Sequence, residues 1–240
     1  MKLIYLILVL VVLYTVFIYF RIQYKVAHAN LVKIEQTDRT FGHGPKLKYI
    51  AAGDSTAVGV GASAVEKTYT YRVASYLATG HSVDYKNIGV AGSQTQDVLD
   101  KQLAQIVDYQ PVVITISIGA NDLNHLTSSK KILANYKQII STLTEKTNAK
   151  IYITDIPGLI NAQLLPSWYR YLLDKKAVKL NQQLLKLETG RVKFVNIHDF
   201  GWSNYQDIQV TFAADQFHPN DEGYNNWTNA FLDRIKQDFN

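Results

Sequence analysis

Two hydrophobic patterns divide the chain. From Leu3 to Phe20 the run "LIYLILVLVVLYTVFIYF" is apolar on every side, with no charge and hydroxyls only on Thr15 and the tyrosines. After Lys46 short apolar runs alternate with longer amphipathic stretches. "LKYIAA" (47–52), "SVDYKNI" (82–88), "VVITISI" (112–118), "KIYITDI" (150–156) and "VKFVNI" (192–197) predict five strands. They are rich in Val, Ile and Tyr, and the third is apolar enough for burial on both faces. Helical periodicity covers about 68–79, 95–109, 130–147 and 167–188, with a last helix from Asn220 onward. Regular β-α alternation predicts a parallel sheet covered by helices on both faces, and right-handed crossovers leave few topologies.

At about 1.5 Å per residue, residues 3–20 span about 27 Å, close to the hydrocarbon thickness of a bilayer. Tyr14, Phe17, Tyr19 and Phe20 suit an interfacial aromatic belt. The segment therefore reads as an uncleaved anchor over 1–21, with a linker at 22–45 and one domain at 46–240. Residues 3–20 are expected to face lipid and add nothing to the domain core. A cleavable signal peptide is the alternative, since "AHA" at 27–29 has a small-x-small form and cleavage after Ala29 would secrete the domain. Lys2 opposes Arg21, Lys25 and Lys33, so flanking charge does not fix orientation. A single-pass membrane protein with an extracytoplasmic catalytic domain is the expectation.

Charge and cysteine content narrow the classes. The net charge is +5, but residues 1–45 hold five Lys/Arg against two Asp/Glu, leaving 20 against 18 for the domain. That is no nucleic-acid footprint. With no cysteine, a disulfide framework and a zinc-thiolate site are both excluded.

In a parallel sheet ligands gather at the carboxyl ends of the strands. Four polar or glycine-bearing turns fall there: Asp54-Ser55 after the first strand, "NIGVAGSQT" with Gly89 and Gly92 after the second, "GANDL" (119–123) after the third, and "DQFHPN" (215–220) after the fifth. Three readings compete for Ser55: a turn residue, a phosphate-cradling glycine loop, or a nucleophile. "GVGASA" (59–64) comes several residues late for a dinucleotide fingerprint, and no Walker lysine follows. As a nucleophile Ser55 needs a base and an orienting acid. Asp215 and His218, three apart, supply both, with the carboxylate on Nδ1 and Nε2 facing the serine. The N–H groups of Ser55 and Gly92 and the side-chain amide of Asn121 are candidate oxyanion donors. Singly, each of these residues is as readily a turn or cap residue. The competing pair His198-Asp199 has neighbours that project apart, and His125 reads as a surface residue near the site. No histidine pair has metal-ligand spacing, so neither a metal nor a cofactor is expected.

The four blocks together resemble a GDSL-type, or SGNH, hydrolase: "GDS" at 53–55, "NIGVAG" at 87–92, "GAND" at 119–122 and "DQFH" at 215–218. The family's site set falls on Ser55, Gly92, Asn121 and His218, with Asp215 completing a triad; Thr56 stands where the family name has leucine. The resemblance implies a three-layer α/β/α sandwich of flavodoxin-like type with a five-stranded parallel sheet, and a metal-independent serine esterase working through an acyl-enzyme. G-x-S-x-G is absent, since Ala57 replaces its second glycine. An ester is the expected substrate, either an acetylated cell-wall polymer or a lipid. An acyltransferase with the same triad and an inactive binding protein are the alternatives. "PGLINAQLLPSWYRYLL" (157–173) offers an apolar lid or acyl pocket through Leu164, Leu165, Trp168 and Tyr169, or else ordinary loop-to-helix packing.

Overall fold

Each apolar run after Lys46 becomes a strand in the computed structural model, which describes residues 2–36, 38–157, 162–197 and 211–239. Helix α1 (Lys2–Ala27) leads into strand β1 (Arg39–Phe41) and then β2 (Lys46–Gly53), the short α2 (Ser55–Val58), α3 (Tyr69–Leu77) and β3 (Ser82–Asn87). There follow α4 (Thr95–Asp97), α5 (Leu103–Tyr109), β4 (Val113–Ser117), α6 (Ala120–Asn124), α7 (Ser129–Lys146), β5 (Lys150–Thr154), α8 (Ser167–Leu184), β6 (Val192–Val195) and α9 (Asp221–Ile235).

The sheet order is β1-β3-β2-β4-β5-β6. Strands β2 to β6 pair in parallel. They are the five expected strands, in the flavodoxin-like order in which the first lies inside the second. The expectation of five strands is corrected by β1, which pairs antiparallel with β3 at the edge, Thr40 opposite Asp84. Its three residues, "RTF", are too few to show a period of two, and they lie inside the stretch read as linker.

Alternation along the strands sends side chains into two layers. Ile50, Ile114, Ile116, Ile151, Ile153 and Phe194 join Ile132, Tyr136 and Ile139 of α7 and Leu173, Ala177 and Leu180 of α8. Tyr49, Ala51, Val113 and Tyr152 face the other side, against Tyr69 and Val73 of α3 and Tyr224, Trp227 and Phe231 of α9. The Tyr69 and Phe231 rings stack at 4.6 Å. The turn that follows α9 is tied to the sheet by Asp238, which takes Lys150 at 2.8 Å, Tyr152 at 2.7 Å and Lys193 at 3.0 Å. Burial opposes ionisation there, yet these three partners bring the carboxyl down to about 2.

Between α4 and α5 residues Val98–Gln102 form a π turn, so the expected helix over 95–109 is interrupted. The extra residue turns Gln102 inward: its Oε1 accepts from Gly53 N–H at 2.8 Å and its Nε2 donates to Gly53 C=O at 2.9 Å. A helix irregularity thus clamps the end of β2, where the chain reverses its winding and the crevice forms.

Candidate active site

Ser55 stands one residue beyond the clamped strand end. Gly53 has φ +128°, and a Cβ there would lie 1.9 Å from the Ser117 carbonyl oxygen, so β2 and β4 meet too closely for any side chain. Asp54, 2 % exposed, caps α2 by accepting from Thr56 N–H at 2.9 Å and from Thr56 Oγ1 at 2.7 Å. Burial pushes the Asp54 carboxyl up to about 6 against these two hydrogen bonds. Thr56 Oγ1 also meets Ser117 Oγ at 2.7 Å. The residue at the leucine position of the motif is therefore a hydroxyl with two buried polar partners. Ser55 occupies the first turn of α2, whose N–H groups have no partner within the helix.

His218 Nε2 lies 3.0 Å from Ser55 Oγ. Its Nδ1 lies 2.5 Å from Asp215 Oδ2, and since a carboxylate only accepts, the ring proton belongs on Nδ1. Asp215 Oδ1 accepts from the N–H groups of His218 and Phe217, both at 3.0 Å. Burial alone would raise the Asp215 carboxyl, but the His218 ring and these two N–H groups hold it below its usual range. The sequence pairing of Asp215 with His218, and of both with Ser55, is present in the geometry. His198 and Asp199, the competing pair, lie outside the described residues.

The second turn is built on β2. Val90 N–H donates to Gly53 C=O at 3.0 Å, and Asn87 Nδ2 donates to Ala57 C=O at 2.8 Å. Gly92 has φ +85° with open space where a Cβ would be, so it presents bare backbone beside Ser55. Asn121 sits in α6 and donates through Nδ2 to Ser93 C=O at 3.0 Å. The neighbouring Asp122 accepts from Thr95 N–H at 2.8 Å and Thr95 Oγ1 at 2.6 Å, holding α6 against the Gly92 turn. His125 is exposed, with Nδ1 2.8 Å from its own helix's Asn121 oxygen.

The glycine-rich loop has a packing role. Gly59, φ +93°, ends α2, and a Cβ at Gly61 would lie 2.3 Å from the Pro219 carbonyl oxygen. Tyr224 Oη donates to Val60 C=O at 2.8 Å, and Asp221 takes Ser63 N–H at 2.8 Å. The loop fastens the Ser55 turn to the His218 turn, and its glycines allow the approach.

A cavity of about 470 Å³ opens above these groups, lined by Ser55, Gly92, Asn121 and His218. Leu164, Leu165, Trp168 and Tyr169, singled out in the sequence, line it together with Phe217, which was not. So do Tyr14, Thr15 and Ile18 of α1, contrary to the expectation that residues 3–20 face only lipid, and Ile22 just beyond them. Ile22 also packs on the core, and Lys25 Nζ donates to Gln216 Oε1, between Asp215 and Phe217. Among the described residues no group of His, Asp or Glu is placed to hold a metal ion.

Residues 51–225 match the sequence profile of the GDSL-like lipase/acylhydrolase family. The chain belongs to that family. This GDSL-like protein is thus a hydrolase of ester bonds. Comparison with curated proteins finds no match. Among solved structures it is similar to a lipase from a goat rumen metagenome at 20 % identity, covering 78 % of this chain and 96 % of that one, with a TM-score of 0.62. It is also similar to the acetylxylan esterase Axe2 of Geobacillus stearothermophilus at 16 % identity, covering 80 % and 95 %, TM-score 0.60. A Clostridium thermocellum family 3 carbohydrate esterase aligns at 18 % identity over 81 % and 100 %, TM-score 0.60. At these identities the likeness shows the shared GDSL-like hydrolase fold. Among its described residues the GDSL-like hydrolase also carries one helix segment, Ile4–Ile22, long and apolar enough to cross a membrane.

Proposed function

We propose that the protein hydrolyses carboxylic esters through Ser55, His218 and Asp215, by way of an acyl-enzyme. The observation that carries this is the continuous contact Asp215–His218–Ser55, with Nε2 aimed at Oγ. Ser55 Oγ attacks the ester carbonyl carbon while its proton passes to His218 Nε2. The tetrahedral oxyanion is held by the N–H groups of Ser55 and Gly92 and by Asn121 Nδ2. As the C–O bond breaks, the leaving alkoxide takes the proton from Nε2. Water then repeats the sequence on the acyl-Ser55, giving the acid and the free serine. Asp215 keeps the Nδ1 proton in place and stabilises the imidazolium without accepting the proton.

The chain divides into a membrane anchor at 1–21, a connecting segment at 22–45 that contributes an edge strand, and a catalytic domain at 46–240. The anchor reading rests on the length and uniform apolarity of Ile4–Ile22. It holds the catalytic domain outside the cytoplasm with its ester substrate at the membrane.

Ser55→Ala tests the reading. The expected result is loss of at least a thousandfold in kcat on a 4-nitrophenyl ester, with the circular dichroism and melting curve unchanged. A variant that keeps a tenth of wild-type kcat would remove Ser55 as nucleophile.

A further inference from the structure

One wall of the cavity above Ser55 comes from the helix that reads as the membrane anchor. Tyr14, Ile18 and Ile22 line it, and Lys25 continues the row to the loop of Asp215 and His218. Spacings of four, four and three residues place these side chains on one stripe of a helix. Along α1 the described side chains from Ile4 to Phe17 are exposed, whereas Ile18, Ile22 and Lys25 are half-buried. The helix thus presents a narrow seam to the catalytic domain, and most of its other described side chains are exposed. The distance from Tyr14 to Ile22 is eight residues, about 12 Å of helix, so the cavity runs along nearly half of the apolar span.

The domain surface around the mouth is apolar as well. Trp168 is 55 % exposed and Leu172, one turn on, 56 %; Leu126, just beyond the Asn121 helix, is 66 % exposed. Large apolar side chains gathered at one mouth and left in water are unfavourable unless a partner covers them. The continuous apolar face of α1 names that partner as a lipid bilayer, because the same leaflet that holds the second half of α1 lies against this rim.

We infer that α1 is the outer wall of an acyl-chain pocket and that the enzyme draws a long-chain lipid ester sideways from the leaflet in which α1 is embedded. The inference rests on the ester-hydrolase reading above and assigns its substrate class. The ester carbonyl reaches Ser55 while its acyl chain lies between Ile18 and Ile22 of the helix and Leu164, Leu165 and Trp168 of the domain. An acetyl group would leave most of the roughly 470 Å³ unfilled. Each methylene moved from water into apolar surroundings is worth about fourfold in binding, so chain length is what this cavity reads.

The test uses the full chain in lipid nanodiscs with 4-nitrophenyl esters from acetyl to dodecanoyl, and acetylated xylan as a polymer substrate. Wild-type kcat/KM should rise at least tenfold from acetyl to decanoyl, with acetylated xylan poorly used. Ile18→Trp and Ile22→Trp, which fill the cavity, should each lower the decanoyl-to-acetyl ratio at least fivefold. Val16→Trp, at similar depth on the far side of the helix, should leave it unchanged. The ratio is internal to each preparation, so a partly unfolded variant lowers both rates and does not mimic the effect. A flat or acetyl-favouring wild-type profile, preferred use of acetylated xylan, or an equal effect of Val16→Trp would overturn the inference. The ester-hydrolase reading would survive all three provided acetyl ester hydrolysis still requires Ser55, and it fails separately if Ser55→Ala remains active.

Discussion

Replacing Asp215 by Asn changes one atom, and the hydrogen bonds around it fix what that atom does. Oδ1 accepts two backbone N–H groups at 3.0 Å, a role that only an oxygen can fill. The amide oxygen of Asn therefore takes the Oδ1 place, and its NH2 falls where Oδ2 now meets His218 Nδ1 at 2.5 Å. A donor at that point requires Nδ1 to accept, which moves the ring proton to Nε2. Nε2 is the nitrogen 3.0 Å from Ser55 Oγ, and with a proton on it His218 has no lone pair for the serine. On the proposed mechanism Ser55 is then correctly placed but without a base. A wrong tautomer of this kind costs about 10⁴ in kcat, or about 5 kcal/mol of barrier. Both backbone hydrogen bonds survive, so the folded domain should melt within a few degrees of wild type. The assay is kcat on a short 4-nitrophenyl ester at pH 7.5, with thermal melts on the same samples. A loss of less than tenfold in a folded variant would refute the argument, because Asp215 would then have no part in setting the tautomer.

Four further outcomes follow from the same geometry. Asn121→Ala should lower kcat by about 10²–10³ with little change in KM, as for loss of one oxyanion donor; steady-state kinetics that show only a KM effect would place Asn121 in substrate binding. Gly53→Ala should prevent accumulation of folded protein, since its Cβ would lie 1.9 Å from the Ser117 carbonyl oxygen at φ +128°, and recovery of a soluble variant with a wild-type melt would contradict the packing. Asp54 is raised from 3.8 to about 6, so its contribution is complete below about pH 4 and is lost as pH rises through about 6, by about 3 kcal/mol; the melting temperature of Asp54→Asn relative to wild type should therefore climb between pH 4 and pH 7, and a flat difference would sink the assignment. A chain begun at Leu31 should be more stable than one begun at Thr40 by about 1–2 kcal/mol in denaturant, because it keeps Ile34 on the core and Arg39 in β1; equal stability would mean that the connecting segment does not pack.

What the sequence made legible was whatever its spacing controls. The five strands announced themselves as short runs rich in Val, Ile and Tyr set between amphipathic stretches; in three of them Ile50, Ile114, Ile116, Ile151 and Ile153 face the same core layer. Asp215 and His218 could be paired because three residues is about one turn, and Ser55 could be placed because strand ends in a parallel sheet share one edge. The supporting groups were hidden for a physical reason: each acts across a long sequence separation through an ordinary side chain. Gln102 grips Gly53 from 49 residues away, and only a π turn points it inward. Asp122 holds Thr95 across 27 residues, and alone it reads as a cap.

The apolar segment shows the opposite failure, in which a strong signal conceals a second one. Amphipathic contrast is what lets a helix face be read, and a helix apolar on all sides has none. Tyr14, Ile18 and Ile22 differ little in hydrophobicity from Leu13, Phe17 and Phe20, so composition cannot distinguish the residues that face the cavity from those that do not. The charged residue on the stripe is Lys25, at the far end, and its bond to Gln216 ties the helix to the loop that carries Asp215 and His218. A cation there fixes the rotation of the helix about its axis. Rotation is the variable that matters, since a turn of 100° would replace Ile18 at the cavity by a neighbour and break the Lys25 contact together. The segment that reads as an anchor and the site that reads as an ester hydrolase therefore share residues. Removing the helix should change which esters the enzyme prefers even where the triad stays intact.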